Sequence, residues 1–177
     1  DSILKVCGNL DLEMGGSMLG VENRKYVTST RNVNPVMYQT NRRSVYLPIV
    51  RSALYEVLQA FDFADPSVLS GNRVHTTVAP QALFMMNSDF IMQQTSDFAE
   101  QVLHETHLDR PGKVKLVYER IFSRPASELE VSRALDYLNQ YRQELEPLEM
   151  EPEEKEQRTW QSLCRVLISS NEFLFVE

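Results

Sequence analysis

The chain has 177 residues, of which 42% are hydrophobic and 24% charged, a balance typical of a globular domain with a core. Its net charge is −7, and the sequence contains no basic patch suited to nucleic acid. The longest uninterrupted apolar run, from Ala82 to Met86, is far too short to span a bilayer. Much of the negative charge lies between Glu144 and Glu156, which we interpret as a solvated connection and the start of a helix.

Residues 1–78 are predicted to form a loop-rich half. The opening DSILKVCG predicts the last turns of a helix ending near Gly8, and we expect the chain to be the C-terminal fragment of a longer protein. The Gly-, Asn- and Ser-rich stretch that follows has no clear hydrophobic period, which is typical of a loop. Two short segments, RKYVT and SVYLPIV, are predicted to be extended, because β-branched and aromatic residues favour strands. SALYEVLQAF predicts a helix with one apolar face formed by Leu54, Val57, Leu58 and Phe61.

Residues 79–177 are predicted to form a helical bundle. Pro80 suits the first position of a helix, and Ser88 suits the cap of a second helix after a break. KVKLVYERIF predicts a further helix. The apolar residues of the first two helices recur at helical spacing and are expected to face inward: Leu83, Met86, Phe90, Phe98 and Val102.

Ser127 and Glu130 have the spacing of a capping box, which predicts a helix to about Leu145. Pro152 is expected to begin the last long helix, and the final NEFLFVE to form a helix end and an extended tail. The apolar stripe of that last helix is Trp160, Leu163, Cys164, Leu167 and Ile168. The sequence therefore predicts a single, mainly α domain, with a C-terminal helical bundle and a loop-rich N-terminal half that contains short extended segments.

Two interpretations are open for the polar residues of the loop-rich half. In the first, arginines pair with carboxylates and pin the loops to the helices, because a buried charge needs a partner. Amides in this network would satisfy open backbone groups. The network comprises Arg42, Arg43, Arg51, Asp62, Asp65, Arg73, Gln81, Asn87 and Asn171. In the second, a catalytic site lies at FDFADP, since paired carboxylates and a loop histidine can serve acid–base chemistry. Its candidates are Asp62, Asp65, Arg73 and His75.

His104 and His107 have a spacing that can place two imidazoles on one side of a metal ion. A helix C-terminus also favours cations for electrostatic reasons alone, so we expect neither a metal site nor a cofactor. Cys7 and Cys164 form no CxxC motif and no zinc spacing. They either form one disulfide or are small buried hydrophobes, and the apolar surroundings of Cys164 favour burial.

Several stretches together resemble a planctomycete-specific domain of unknown function, which forms the C-terminal part of large secreted proteins. The patterns are GRRSVYLPVxR, FDFADPxxxxGxRxxTTVAPQALFxxNS, GRxPxxxEL and a terminal NEFLYVD. TTVAPQALFMMNS is a specific match, whereas Asn41 and Ser123 each stand where the pattern has Gly. The matching stretches are Arg42 to Arg51, Phe61 to Ser88, Ser123 to Leu129 and Asn171 to Glu177.

The resemblance implies an exported protein of the periplasm or cell envelope. Such proteins often begin with a cytochrome-c-like domain, but CxxCH is absent here, so no haem is carried over. The implied partners are the N-terminal part of the same protein and a protein related to the alkaline phosphatase and sulfatase superfamily. No catalytic residues are carried over from the family.

We therefore interpret the chain as a non-catalytic assembly or binding module of an exported multidomain envelope protein. We expect it to bind no nucleic acid and to contain no membrane span. The alternative is an enzyme that acts on polysaccharide or another envelope substrate at the FDFADP loop. A third hypothesis is a docking platform for an electron-transfer domain.

Overall fold

The computed structural model describes residues 1–16, 18, 40–49, 54–61, 63–64 and 78–175. Within these residues the prediction of a mainly α fold is confirmed: no β-strand forms, and Asp11 and Arg42 make an isolated parallel bridge. A 3-10 turn spans Ser44–Tyr46. The α-helices are α1 (Ser2–Val6), α2 (Glu56–Ala60), α3 (Val78–Asn87), α4 (Asp89–His104), α5 (Arg110–Phe122), α6 (Glu128–Leu145), α7 (Pro152–Ile168) and α8 (Asn171–Leu174). None of these helices is both long enough and apolar enough to cross a membrane.

The chain divides into two compact units. Unit 1 comprises Asp1 and Asn9–Phe84, and unit 2 comprises Ser2–Gly8 and Met85–Glu177. In the described part of unit 1, hydrogen bonds join segments that are distant in sequence. The Asp11 N–H donates to the Asn41 carbonyl at 2.9 Å, and the Ser44 N–H donates to the Asp1 carboxylate at 2.7 Å.

The short elements of unit 1 differ from the prediction. Within SVYLPIV, Ser44–Tyr46 is a 3-10 turn, closed by donation from the Leu47 N–H to the Ser44 carbonyl, and the backbone becomes extended only at Leu47. The helix predicted in SALYEVLQAF is shorter, because Tyr55 at its cap has ψ 134° and Leu54 precedes the helix. RKYVT lies outside the described residues.

Helix α3 begins at Val78, so Pro80 is its third residue rather than its first. Proline is still tolerated there, because the first turn of a helix has no intrahelical partner for its N–H groups. The predicted inward face is wrong for this helix. Leu83 is 61% exposed and Met86 is 59% exposed, whereas Met85 is fully buried. Apolar residues lie on all sides of VAPQALFMMN, so spacing alone did not identify the buried side.

Helices α4, α6 and α7 begin at the residues that the sequence predicted, whereas α5 begins at Arg110, three residues before the predicted KVKLVYERIF. The Ser88 hydroxyl accepts a hydrogen bond from the main chain of α4 at 3.2 Å. Ser127 and Glu130 form the predicted capping box at the start of α6. Pro152 is the first residue of α7. The side chains of Ser88 and Ser127 accept hydrogen bonds from N–H groups that have no partner within the helix. Pro152 has no backbone N–H, so one such group is absent at the start of α7.

The core of unit 2 lies along α7, which packs against α4, α5, α6 and α8. The predicted apolar stripe of α7 is buried as expected. Full burial of a large apolar side chain contributes about 1.5–3 kcal/mol, so this stripe is a major source of stability. From α4, the fully buried residues that meet the core are Ile91, Thr95, Phe98, Ala99 and Val102.

Polar side chains along α7 and at its C-cap donate hydrogen bonds to main-chain carbonyls of α4 and to that of Met85, near the end of α3. Gln157 and Gln161 are four residues apart and lie on one side of α7, and Ser169 is the C-cap residue of that helix. Their acceptors run in the opposite direction along the chain, so the two helices are antiparallel. The acceptors are, in that order, Ser96 at 2.8 Å, Met92 at 2.9 Å and Met85 at 3.5 Å.

Both cysteines are free and fully buried in unit 2, which agrees with their interpretation as small hydrophobes. Burial raises the pKa of the Cys7 thiol to about 12, and burial also raises the pKa of Cys164. Both thiols are therefore protonated at neutral pH. The Cys7 carbonyl accepts a hydrogen bond from the Gln101 side chain at 2.8 Å, which attaches the end of α1 to α4.

Ser123 ends α5 in a left-handed backbone conformation, with φ +55°. Its N–H donates to the Glu119 carbonyl at 2.9 Å. Glycine adopts this conformation freely, whereas another residue pays about 1–2 kcal/mol. A glycine at this position would adopt the same conformation without that strain.

We predict that Ser123→Gly raises the free energy of unfolding by about 1 kcal/mol, because it relieves this strain. Urea unfolding at pH 7 measures the change. Ser132→Gly, on the exposed side of α6, is the matched control and should lower stability. A Ser123→Gly variant that is destabilised as much as the control would contradict the prediction.

Candidate functional site

The most developed polar site in the described residues surrounds Arg124, which follows α5. The Arg124 Nε donates to Glu172 at 2.6 Å and its Nη2 to the other oxygen at 2.9 Å. Its Nη1 and Nη2 donate to the two oxygens of Glu130 at 3.0 and 2.6 Å. One guanidinium thus holds two carboxylates, each in bidentate geometry, the strongest form of this pair. We call these three residues the Arg124 clamp.

The local sequence positions each member of the clamp. Glu130 is the third residue of α6, and its carboxylate also accepts from the Ser127 N–H at 2.7 Å. Glu172 is the second residue of α8. Arg124 lies over the rings of Tyr118 and Phe122, at 5.9 and 5.5 Å from their centroids. The clamp therefore joins the α5–α6 turn to α8, 48 residues further along the chain.

The clamp determines the charge states of its members. Hydrogen bonds from Arg124 and then from the Ser127 backbone lower the pKa of Glu130 to about 2. Hydrogen bonding to Arg124 also lowers the pKa of Glu172, and the two carboxylates raise the pKa of Arg124. All three groups are charged at neutral pH. A pair of ionised carboxylates held by one cation is suited to structural connection rather than to proton transfer.

A second ionic centre lies at Glu156 on α7. Its carboxylate accepts from the buried Trp160 indole at 2.9 Å and from Arg142 at 2.9 Å, and it lies 3.5 Å from Arg110. These partners come from α5, α6 and α7. The indole donor of the fully buried Trp160 is thereby satisfied.

The four catalytic candidates, Asp62, Asp65, Arg73 and His75, lie outside the described residues, as does Arg51. Arg42 is described. Its Nη2 donates to the Glu13 carbonyl at 2.9 Å and to the Gly15 carbonyl, and its guanidinium lies 4.8 Å from the Tyr46 ring centroid. These contacts hold the 13–15 segment to the 3-10 turn. Arg43 is exposed, and its carbonyl accepts from the Tyr46 N–H at 3.0 Å.

The predicted amides lie at the ends or sides of helices. Gln81 is half-buried on α3, Asn87 ends that helix, and Asn171 begins α8. Three further amides, those of Gln101, Gln157 and Gln161, donate to main-chain carbonyls of another element. Sequence spacing did not identify them, because bonds across helices depend on the tertiary arrangement.

The histidine pair lies at the end of α4. His104 is the last residue of the helix, and His107 lies 3.4 Å from the Glu105 carboxylate, with both groups open to solvent. Among the described residues, no three His, Cys, Asp or Glu side chains come together in a metal-binding arrangement.

Among the described residues, two of the cavities on the surface of unit 2 bear on function. The first, of about 330 Å³, is lined by Met92, Tyr141, Arg158, Gln161, Ser162 and Arg165. The second, of about 680 Å³, is more open and acidic, with Glu100, Glu153, Glu154 and Glu156 in its lining. The groups whose pKa is displaced, including both cysteines and all members of the Arg124 clamp, lie outside these two cavities.

The family model PSD1, a protein of unknown function (DUF1553), matches residues 1–138. No curated protein and no solved structure matches the chain. Arg124 and Glu130 lie within the matched residues, whereas Glu172 and the α7 side of the first cavity lie beyond them.

We predict that the Arg124 clamp makes stability depend on acid pH. Because the folded-state pKa of Glu130 is lowered to about 2, its contribution is complete above about pH 4.5 and is lost as the pH falls toward 2. Arg124→Gln removes the cation that lowers the pKa of Glu130 and Glu172. The variant should therefore lose less stability than the wild type between pH 5 and pH 2.5, which thermal unfolding measures.

Lys115→Gln is the control for this change, because Lys115 is exposed on α5 and the substitution removes the same charge. It should keep the pH profile of the wild type. Parallel profiles for Arg124→Gln and wild type would show that the clamp does not produce the acid dependence.

Proposed function

The chain belongs to the PSD1 family (DUF1553), whose function is unknown, and on that premise we propose that it is a non-catalytic module of an exported multidomain envelope protein. Its role would be to bind or assemble with another part of that protein. The main observation that supports this proposal is the exposed apolar side of α3.

Helix α3 contains only two polar residues, Gln81 and Asn87, in ten. A helix that is apolar all round is normally buried on all sides. Phe84 packs edge-on against Phe61, with centroids 5.9 Å apart. On the other side Ala79, Ala82 and Leu83 are exposed. Exposed apolar surface of this kind is typical of a position that another protein segment covers.

The polar groups of unit 2 support the same proposal. An active site usually places a group of displaced pKa in a cavity, free to exchange a proton. Here the carboxylates of lowered pKa are both held by Arg124, and the thiols of raised pKa are buried in the core. These groups contribute to holding the helices together.

We predict that Leu83→Lys destabilises the complete multidomain protein by about 1–3 kcal/mol, because an ammonium would enter an apolar interface. In the 177-residue chain alone the effect should be small, since the side chain is already 61% exposed. Chemical unfolding of both forms measures the difference. Hydrogen exchange should likewise show slower exchange of α3 amides in the complete protein.

Leu148→Lys is the matched control. Leu148 is 49% exposed in the turn between α6 and α7, and the substitution should have little effect in either form. Equal effects of Leu83→Lys in the two forms, with equal exchange of α3, would exclude this helix as the assembly surface.

A further inference from the structure

The first cavity of unit 2 lies where α4, α6 and α7 meet. Met92 comes from α4, Tyr141 from α6, and the other lining residues come from α7. Its volume of about 330 Å³ is at the lower end of the range for small-molecule sites. Because its walls stand on three packed helices, the positions of its side chains are well defined.

Arg165 is one of the two cations that line this cavity. Its Nη1 donates to the Met92 sulfur at 2.9 Å. Within the described part of the chain, no carboxylate lies within ion-pair distance of its guanidinium. A thioether is a weak acceptor, and a guanidinium has five donors. Arg165 is therefore a half-buried cation whose capacity to donate hydrogen bonds is largely unused.

Arg158 adds a second guanidinium to the cavity. It donates to Glu154 at 2.9 Å, but both side chains of this pair are exposed, so the pair contributes little and can be exchanged for another partner. Among the described residues that line the cavity there is no carboxylate, although the chain as a whole is acidic. The described lining thus carries two guanidiniums, of which Arg158 is paired with the exposed Glu154 and Arg165 with no carboxylate.

The remaining walls are preorganised and mixed in polarity. The Tyr141 ring stacks on Tyr137, with centroids 6.0 Å apart and planes at 22°. The Tyr137 hydroxyl shares a hydrogen bond with Ser162, which lines the cavity. Gln161 is held by its bond to the Met92 carbonyl. A ligand body would meet an aromatic ring, a thioether, an amide and a hydroxyl.

We propose that this cavity binds a small organic anion, whose carboxylate, sulfate or phosphate group is held by Arg165 and Arg158. A guanidinium matches the geometry of these oxyanions with paired N–H donors. The body of the ligand lies against Tyr141 and Met92, within reach of Gln161. This inference is independent of the assembly role, because α3 does not line the cavity.

Titration of the ¹⁵N-labelled chain with glucuronate and with glucose tests the proposal, since the two share a ring and differ by a carboxylate. We expect glucuronate to shift the amide signals of α7 and glucose to leave them unchanged at constant ionic strength. Arg165→Gln should weaken glucuronate binding about tenfold or more, as expected for the loss of a charge-assisted hydrogen bond. Inorganic sulfate is titrated in parallel as the bare oxyanion.

Arg133→Gln is the matched control, because Arg133 is exposed on α6 outside the cavity, and the substitution should leave binding unchanged. Arg165→Lys keeps the charge but loses the paired donors and should bind with intermediate affinity. Equal weakening by Arg133→Gln, equal binding of glucose, or no shift with glucuronate would each overturn the proposal. Binding of sulfate without glucuronate would also overturn it, by assigning the site to an inorganic ion.

Discussion

The antiparallel packing of α4 against α7 is the interaction on which the rest of unit 2 depends. Helices α1, α5, α6 and α8 each contact one or both of these two. Burial of apolar side chains around Trp160 and Phe98 drives this packing. The hydrogen bonds from Gln157 and Gln161 to α4 fix the position of one helix along the other. The first cavity is a product of the same packing, because its walls come from these helices and α6.

The long helices of unit 2 could be predicted because their signals are local. A capping box, a proline at the first position and apolar residues at helical spacing each act within about two turns of one helix. Helix α3 shows the limit of this approach. It is apolar on every side, so the spacing did not distinguish the buried Met85 from the exposed Leu83. The 3-10 turn at Ser44–Tyr46 was likewise missed, because its β-branched and aromatic residues suggested a strand.

The candidate sites were less predictable than the fold, because their contacts join residues that are distant in sequence. The arginines of RRSVYLPIVR were predicted to pair with carboxylates. The described contacts of Arg42 are instead two main-chain carbonyls and a tyrosine ring. Among the described residues, Arg124, in SRPASELE, holds two carboxylates in bidentate geometry. Its partner Glu172 belongs to NEFLFVE. The clamp therefore joins two stretches that no local sequence pattern connects. The sequence around Arg165 does not distinguish it from other cations on helices, because the cavity that it lines is formed by three helices.

The separation of α4 from α7 along the chain has a consequence for biosynthesis. Ser96 and its partner Gln157 are 61 residues apart, with α5 and α6 between them. The ribosome adds about 5–20 residues per second, so α7 leaves the ribosome seconds after α4. During that interval Phe98, Ala99 and Val102 have no α7 to cover them. The nascent chain is then most prone to aggregate, and a chaperone that binds apolar helices would act at this stage.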